Sequence, residues 1–244
     1  MQTADNLKYS NHIAHYRKDA EFHDYFSDNP FDIQSNRRRY EQIFQLIKRN
    51  HPRRILEIGS GGGYALKMIK ALQVQYFPLD IALVNLKKLR QRSSAPVSPV
   101  SGDIYRLPFK EGAFDTIILS EVLEHLDTPQ EALKEVYRVL TTGSRVVISV
   151  PYKEKITYQI CVHCNQPTPT HAHFHSFDAQ KLCQWTESCG FETIKIITFA
   201  NKLATRLSVY RLLKWAPFPI WKFTDGLFNR IFARPSHLIC LVKK

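Results

Sequence analysis

Apolar residues early in the chain recur in two different rhythms. In "RRRYEQIFQLIKRN", Tyr40, Ile43, Phe44 and Ile47 follow helical spacing, which predicts a leading helix. After His51 the rhythm changes to short unbroken runs: "HPRRILEI", "VQYFPLD", the weaker "PVSPV", "FDTIILS" and "RVVISVP". Runs without polar alternation predict strands buried on both faces. Helical segments over Tyr64 to Leu72, Ala82 to Arg92 and Thr128 to Leu140 fall between most of them. Together they predict an α/β fold, with a doubly wound, mostly parallel sheet covered on both sides.

Beyond Pro151 the pattern gives way to a segment bearing cysteines and histidines. It resumes with a helix over Asp178 to Ser188 and a strand in "FETIKIITFA", and closes with a strand in "SHLICLVKK". No internal repeat or low-complexity tract is present. The expected organisation is an N-terminal helical cap over 1–50 and one domain over 51–244, carrying insertions at 151–177 and 201–235.

Composition narrows the class without naming a function. With 44% hydrophobic and 23% charged residues, the chain is an ordinary globular protein and not a disordered one. The net charge of +12 favours anionic partners, although the cations are scattered and only Arg37 to Arg39 form a run. The opening "MQTADNLKYSNHIAHYRKD" lacks the apolar core of a secretory signal, and no window reaches the ~18 apolar residues that span a bilayer. A cytoplasmic protein is expected, with peripheral contact at the inner face of a membrane as an open alternative.

The chemistry starts in "ILEIGSGGGYALKMI", where a glycine-rich turn links strand one to a helix. That is where doubly wound sheets bind nucleotide-like ligands. The phosphate-cradling pattern G-x-x-x-x-G-K-[ST] is absent, and the dinucleotide pattern fails because Tyr64 stands where its third glycine belongs. The frame that fits is Glu57-x-Gly59-x-Gly61-x-Gly63, with a carboxylate suited to a cationic amino group. Asp80, closing strand two, is placed for ribose hydroxyls, and Asp103 with Ile104 for an adenine. Ammonium, ribose and adenine together describe S-adenosylmethionine.

On "LEIGSGGG", "PLDIA", "SGDIYRLPF", "FDTIILSEVLEHL" and "LKEVYRVLTTGSRVVISVP", the chain resembles the class I S-adenosylmethionine-dependent methyltransferases of the small-molecule, ubiquinone-biosynthesis-like (type 11) group. The match runs from about Arg53 to Pro151. The resemblance implies a Rossmann-like sheet of seven strands with an antiparallel last strand. It also implies that Glu57, Gly59, Gly61 and Gly63 line the amino-acid end of the cofactor, with Ser120 and Glu121 edging the pocket. Thr141-Thr142-Gly143-Ser144 replaces the usual Pro-Gly-Gly turn.

His125, just past strand four, is the first candidate for a general base on a hydroxyl acceptor, or else it structures the loop. Cys161 and Cys164 have the spacing of a zinc knuckle. Similarity to relatives that carry a cysteine pair before "SFD" singles out His173 as a third ligand, with His175 or His171 as the fourth. The same residues read without metal are surface groups, or histidines touching the acceptor. Aromatics and cations mix between Leu203 and Phe232, consistent with a lid over the acceptor, a membrane interface or stacking on bases. The expected activity is methyl transfer to a small-molecule acceptor, with O-methylation favoured. Two rivals stand beside it: an RNA methyltransferase, and a non-catalytic cofactor-binding or zinc-stabilised interaction protein. The absence of an RNA-binding module disfavours nucleic acid, and the oligomeric state is left open.

Overall fold

The computed structural model of the protein describes residues 11–27, 30–162 and 165–244. Two helices lead, α1 (His12–Phe22) and α2 (Pro30–Ile47), followed by β1 (Arg54–Ile58), α3 (Leu66–Ile69), β2 (Gln75–Asp80), α4 (Leu83–Arg92) and β3 (Val100–Ser101). Then come β4 (Phe114–Ser120), a 3-10 turn at Leu123–His125, α5 (Pro129–Val139) and β5 (Leu140–Pro151). The second half holds the hairpin β6 (Tyr158–Ile160) and β7 (Pro167–Pro169), then α6 (Ala179–Ser188) and β8 (Glu192–Asn201). It ends with α7 (Lys202–Arg206), α8 (Val209–Leu212), α9 (Phe218–Phe232) and β9 (Pro235–Lys243).

Seven strands form one sheet in the order β3-β2-β1-β4-β5-β9-β8. β1 pairs in parallel with β2 and β4, and β4 with β5, whereas β9 runs antiparallel between β5 and β8. This is the Rossmann-like sheet with an antiparallel last strand that the apolar runs and the resemblance imply. Neighbouring residues of one strand enter different cores because their side chains alternate. Leu56, Ile117 and Val146 join α5 on one face, while Ile55, Ile118 and Val147 join Tyr40, Ile43 and Phe44 of α2 on the other.

Two local expectations are revised. The third strand is only Val100–Ser101, at the end of "PVSPV". The helix expected over Tyr64 to Leu72 is regular only at Leu66–Ile69. Pro217 lies in the break between α8 and α9 and caps α9, while Pro219 sits in the first turn of α9, where no intrahelical N–H is lost.

The basic run is structural. Arg38 is 2% exposed; it donates to the carbonyls of Leu213 and Ala216 and packs over Trp221, tying the aromatic insertion to α2. Asp225 of α9 is a second anchor, accepting from the backbone N–H groups of Ala200 and Asn201, from Tyr210 Oη and from Asn229 Nδ2. Asp225→Ala strands those buried donors and is expected to lower stability by about 3 kcal/mol in urea denaturation.

Candidate active site

The glycine turn sits at the carboxyl ends of β1 and β2. Gly59 and Ser60 N–H both donate to the Leu79 carbonyl, at 2.9 and 3.1 Å, which bends the chain sharply away from the sheet. Gly59, Gly61 and Gly63 hold φ of +72°, +40° and +68°, a region that side chains disfavour. At Gly59 there is also no room, since a Cβ would stand 2.6 Å from Val122 Cγ2.

A cavity of about 190 Å³ opens beside this turn. Gly59, Gly61, Asp80, Asp103 and Ile104 line one part of it, and Glu121 with His125 line another. The Asp80 carboxylate accepts from Gly61 N–H at 3.0 Å and from Ala82 N–H at 2.8 Å, so the acid and the turn hold each other in place. Burial pushes its carboxyl above the usual range, with those two donors pulling the other way.

Asp103 accepts from Tyr105 N–H, and its other oxygen lies 2.8 Å from His12 Nε2 of α1. His12 and Tyr16 of α1 and Tyr25 complete the wall. Sequence reasoning missed all three; the one available signal is Asn11, whose side chain caps α1 by accepting from Ala14 N–H.

Glu121, at φ +55°, accepts from Ser149 Oγ and lies 3.6 Å from Arg39 and 3.8 Å from His237. Burial alone would raise its carboxyl, but the neighbouring Arg39 and His237 outweigh burial and hold it down at about 2. It therefore presents a fixed negative charge to the cavity.

Glu57 stands elsewhere. Strand alternation turns it, like Ile55 two residues earlier, toward α2, where it is fully buried and accepts from the hydroxyls of both Tyr40 and Tyr76. It is not among the residues lining the cavity, and neither are Gly63, which faces Leu66, Phe26 and Leu89, nor the buried Ser120. The acids that share the cavity are Asp80, Asp103 and Glu121; the expected convergence of Glu57 with the first two is corrected accordingly.

A family model described as a methyltransferase domain matches residues 56–148, the segment from β1 through β5 that builds this cavity. The chain is 29% identical over 157 residues to a Mycolicibacterium smegmatis protein described as "Probable S-adenosylmethionine-dependent methyltransferase", covering 64% of this chain and 58% of the relative. It is 35% identical over 96 residues to the demethylmenaquinone methyltransferase of Streptomyces griseus, covering 39% of this chain and 41% of that protein. The chain thus spans roughly half the length of these relatives. In fold it is similar to the Burkholderia thailandensis 1,6-didemethyltoxoflavin-N1-methyltransferase solved with S-adenosylhomocysteine, at a TM-score of 0.66 and 15% identity, covering 98% of this chain and 91% of that one.

Residues 56–148 thus resemble a methyltransferase domain, and the relatives named here are described as methyltransferases.

His125 is held by its ring: Nδ1 lies 3.2 Å from the Ala172 carbonyl. A carbonyl only accepts, so Nδ1 carries the proton and Nε2 the lone pair. Burial, and next the neighbouring His173, push the imidazole down to about 4, so it is neutral at pH 7 and a weak base.

The cysteine and histidine segment is not one extended face. Ala172 at φ +54° breaks the alternation, sending His173 toward His125 and Glu154, and His175 against Phe177 and Trp185. Of the four expected zinc ligands, Cys164 lies outside the described residues, and Cys161 sits at the tip of the β6-β7 hairpin. Among the described residues, the group able to converge on one ion is Glu124, His125 and His173. No helix among the described residues is long and apolar enough to cross a membrane.

Proposed function

We propose that this protein transfers the methyl group of S-adenosylmethionine to the hydroxyl of a small, lipid-linked, quinone-type or glycan acceptor. The observation that carries the reading is a single cavity lined at once by the Gly59 and Gly61 backbone, Asp80, Asp103 and Ile104, with Glu121 and His125 beside them. Asp80 would hold the ribose hydroxyls, and Asp103, freed from His12, the adenine amino group over Ile104. Glu121 takes the ammonium role that Glu57, behind two tyrosines, is not positioned to fill.

The chemical step is an in-line displacement. The acceptor oxygen forms the new bond to the methyl carbon while the bond from sulfur breaks, and its electron pair leaves the sulfur neutral. The protein's main contribution is orientation, which can lower such a barrier by about 7–11 kcal/mol. The hydroxyl proton passes to solvent.

Among acceptors, the surface of α9 favours a lipid-linked or quinone-type molecule. Ile220, Phe223, Leu227 and Ile231 recur at helical spacing and are 53%, 75%, 48% and 63% exposed. Trp215, with Lys214 over its ring, is 83% exposed beside them in sequence, and Lys222 and Arg230 lie within α9. An apolar stripe among cations suits an anionic lipid surface. The wild-type protein is expected to sediment with vesicles containing phosphatidylglycerol and to be released by salt, with several-fold weaker binding in the Trp215→Ser, Phe223→Ser double variant.

The deciding experiment pairs calorimetry of S-adenosylhomocysteine binding with transfer of labelled methyl groups into lipid and aqueous extracts. Binding plus a labelled, alkali-stable lipid product is the expected result. No heat of binding, or binding with no labelled product in any extract, sinks the proposal.

A further inference from the structure

Beside the His125 end of the cavity lies a cluster that cofactor binding leaves unexplained. Glu124 and His125, on the 3-10 turn after β4, face His173 in the loop after β7. One ligand-capable atom from each lies within 4.8 Å of the other two. Glu124 is 0% exposed, and neither of its carboxylate oxygens has a hydrogen-bond partner on another residue. A buried carboxylate without donors is strongly disfavoured unless a cation or a proton meets it.

Both histidines are held by a hydrogen bond at Nδ1. His125 Nδ1 donates to the Ala172 carbonyl at 3.2 Å, and His173 Nδ1 donates to the Glu154 carboxylate at 2.5 Å. Each ring therefore offers its remaining nitrogen as a lone pair. Imidazoles held this way from behind, by a carbonyl and by a carboxylate, are what metal ions select, because the far hydrogen bond fixes both tautomer and ring direction. The Phe174 and His175 N–H groups donate to the Glu124 carbonyl, so the loop carrying His173 is pinned to the turn carrying the other two residues.

We propose that Glu124, His125 and His173 form a binding site for one divalent first-row transition-metal ion, with Glu154 and the Ala172 carbonyl orienting the two histidines. Two imidazoles and one carboxylate suit such ions and leave coordination positions open. Metal–ligand bonds of about 2.1 Å at tetrahedral angles put ligand atoms about 3.4 Å apart, so separations of up to 4.8 Å must shorten by up to about 1.4 Å. His125 also lines the cavity, so an open position can face the acceptor. On the function proposed above, that position would take the acceptor oxygen and promote loss of its proton, which favours acceptors with two neighbouring oxygens able to chelate.

The test uses the full-length protein, stripped with a chelator and titrated with Co2+ alone and Zn2+ alone, without cofactor. One ion per chain is expected, and the Co2+ form should show visible bands without a thiolate charge-transfer band. Glu124→Gln and His173→Gln should each bind at least 10-fold more weakly, and Glu154→Gln about 10- to 100-fold more weakly, whereas Cys161→Ser and Cys164→Ser should bind as wild type. S-adenosylhomocysteine binding and circular dichroism report whether each variant is folded, and either ligand variant suffices if the other is not. No uptake by the wild-type protein, a thiolate band lost in Cys161→Ser, or unchanged affinity in both ligand variants overturns the site. Metal uptake is read without turnover, so a protein that binds Co2+ yet transfers no methyl group refutes the proposed function and leaves the site standing.

Discussion

Asp80→Ala is expected to weaken S-adenosylhomocysteine binding by a factor of roughly 100 to 10,000. Two ligand hydroxyls bonded to a charged carboxylate are worth about 1.5–3 kcal/mol each, and tenfold in affinity is about 1.4 kcal/mol. The same carboxylate accepts from Gly61 N–H and Ala82 N–H, so its loss also loosens the turn that shapes the cavity. Asp80→Asn separates the two effects. It keeps an oxygen for one of those donors and is expected to melt nearer to wild type than the alanine variant while still binding weakly. Calorimetry and thermal melting on both variants check this, and a folded Asp80→Ala protein with wild-type affinity would remove the ribose role.

The second large effect is a pH dependence of stability from Glu57. Burial pushes its carboxyl up to about 7, from a usual value near 4.5, and the Tyr40 and Tyr76 hydroxyls offset only part of that burial. The folded state therefore binds the proton more tightly than the unfolded chain does. Its contribution to stability is fully present below about pH 4.5 and is lost as the pH rises through about 7. A shift of this size corresponds to about 3 kcal/mol. A neutral amide imitates the protonated acid, so Glu57→Gln should gain stability relative to wild type as the pH rises from 5 to 8. Urea denaturation of both proteins across that range measures the difference, and parallel curves would show that Glu57 is ionised without penalty.

The same residue shows where reading the chain alone misleads. Glu57 precedes Gly59 by two positions, which matches a cofactor motif, yet alternation along β1 aims it at the face covered by α2. The acid that does line the cavity with Asp80 and Asp103 is Glu121, which the family resemblance marks only as an edge residue. Its charge depends on Arg39, a member of a run that in sequence reads as an ordinary basic patch. Likewise His12, Tyr16 and Tyr25 reach the cavity from a segment without strong periodicity.

Other parts were open to inspection from the start. Unbroken apolar runs at β1, β4 and β5 could only be strands covered on both faces, because each run buries consecutive residues on opposite sides. The glycine turn was equally legible, since positive φ at Gly59, Gly61 and Gly63 is a local backbone property that residue type controls. Local rules explain why Ala172 escaped notice, since an alanine rarely takes a left-handed conformation and nothing nearby in sequence signals it.

Residue type and spacing alone thus determined the layered sheet and the position of its glycine turn, both of which depend on short-range geometry. Tertiary structure alone decided which acids meet at the cavity, where the basic run is buried and which histidines face Glu124. Those pairings join residues far apart in the chain, and their energies come from burial and from neighbouring charges that exist only once the helices have packed.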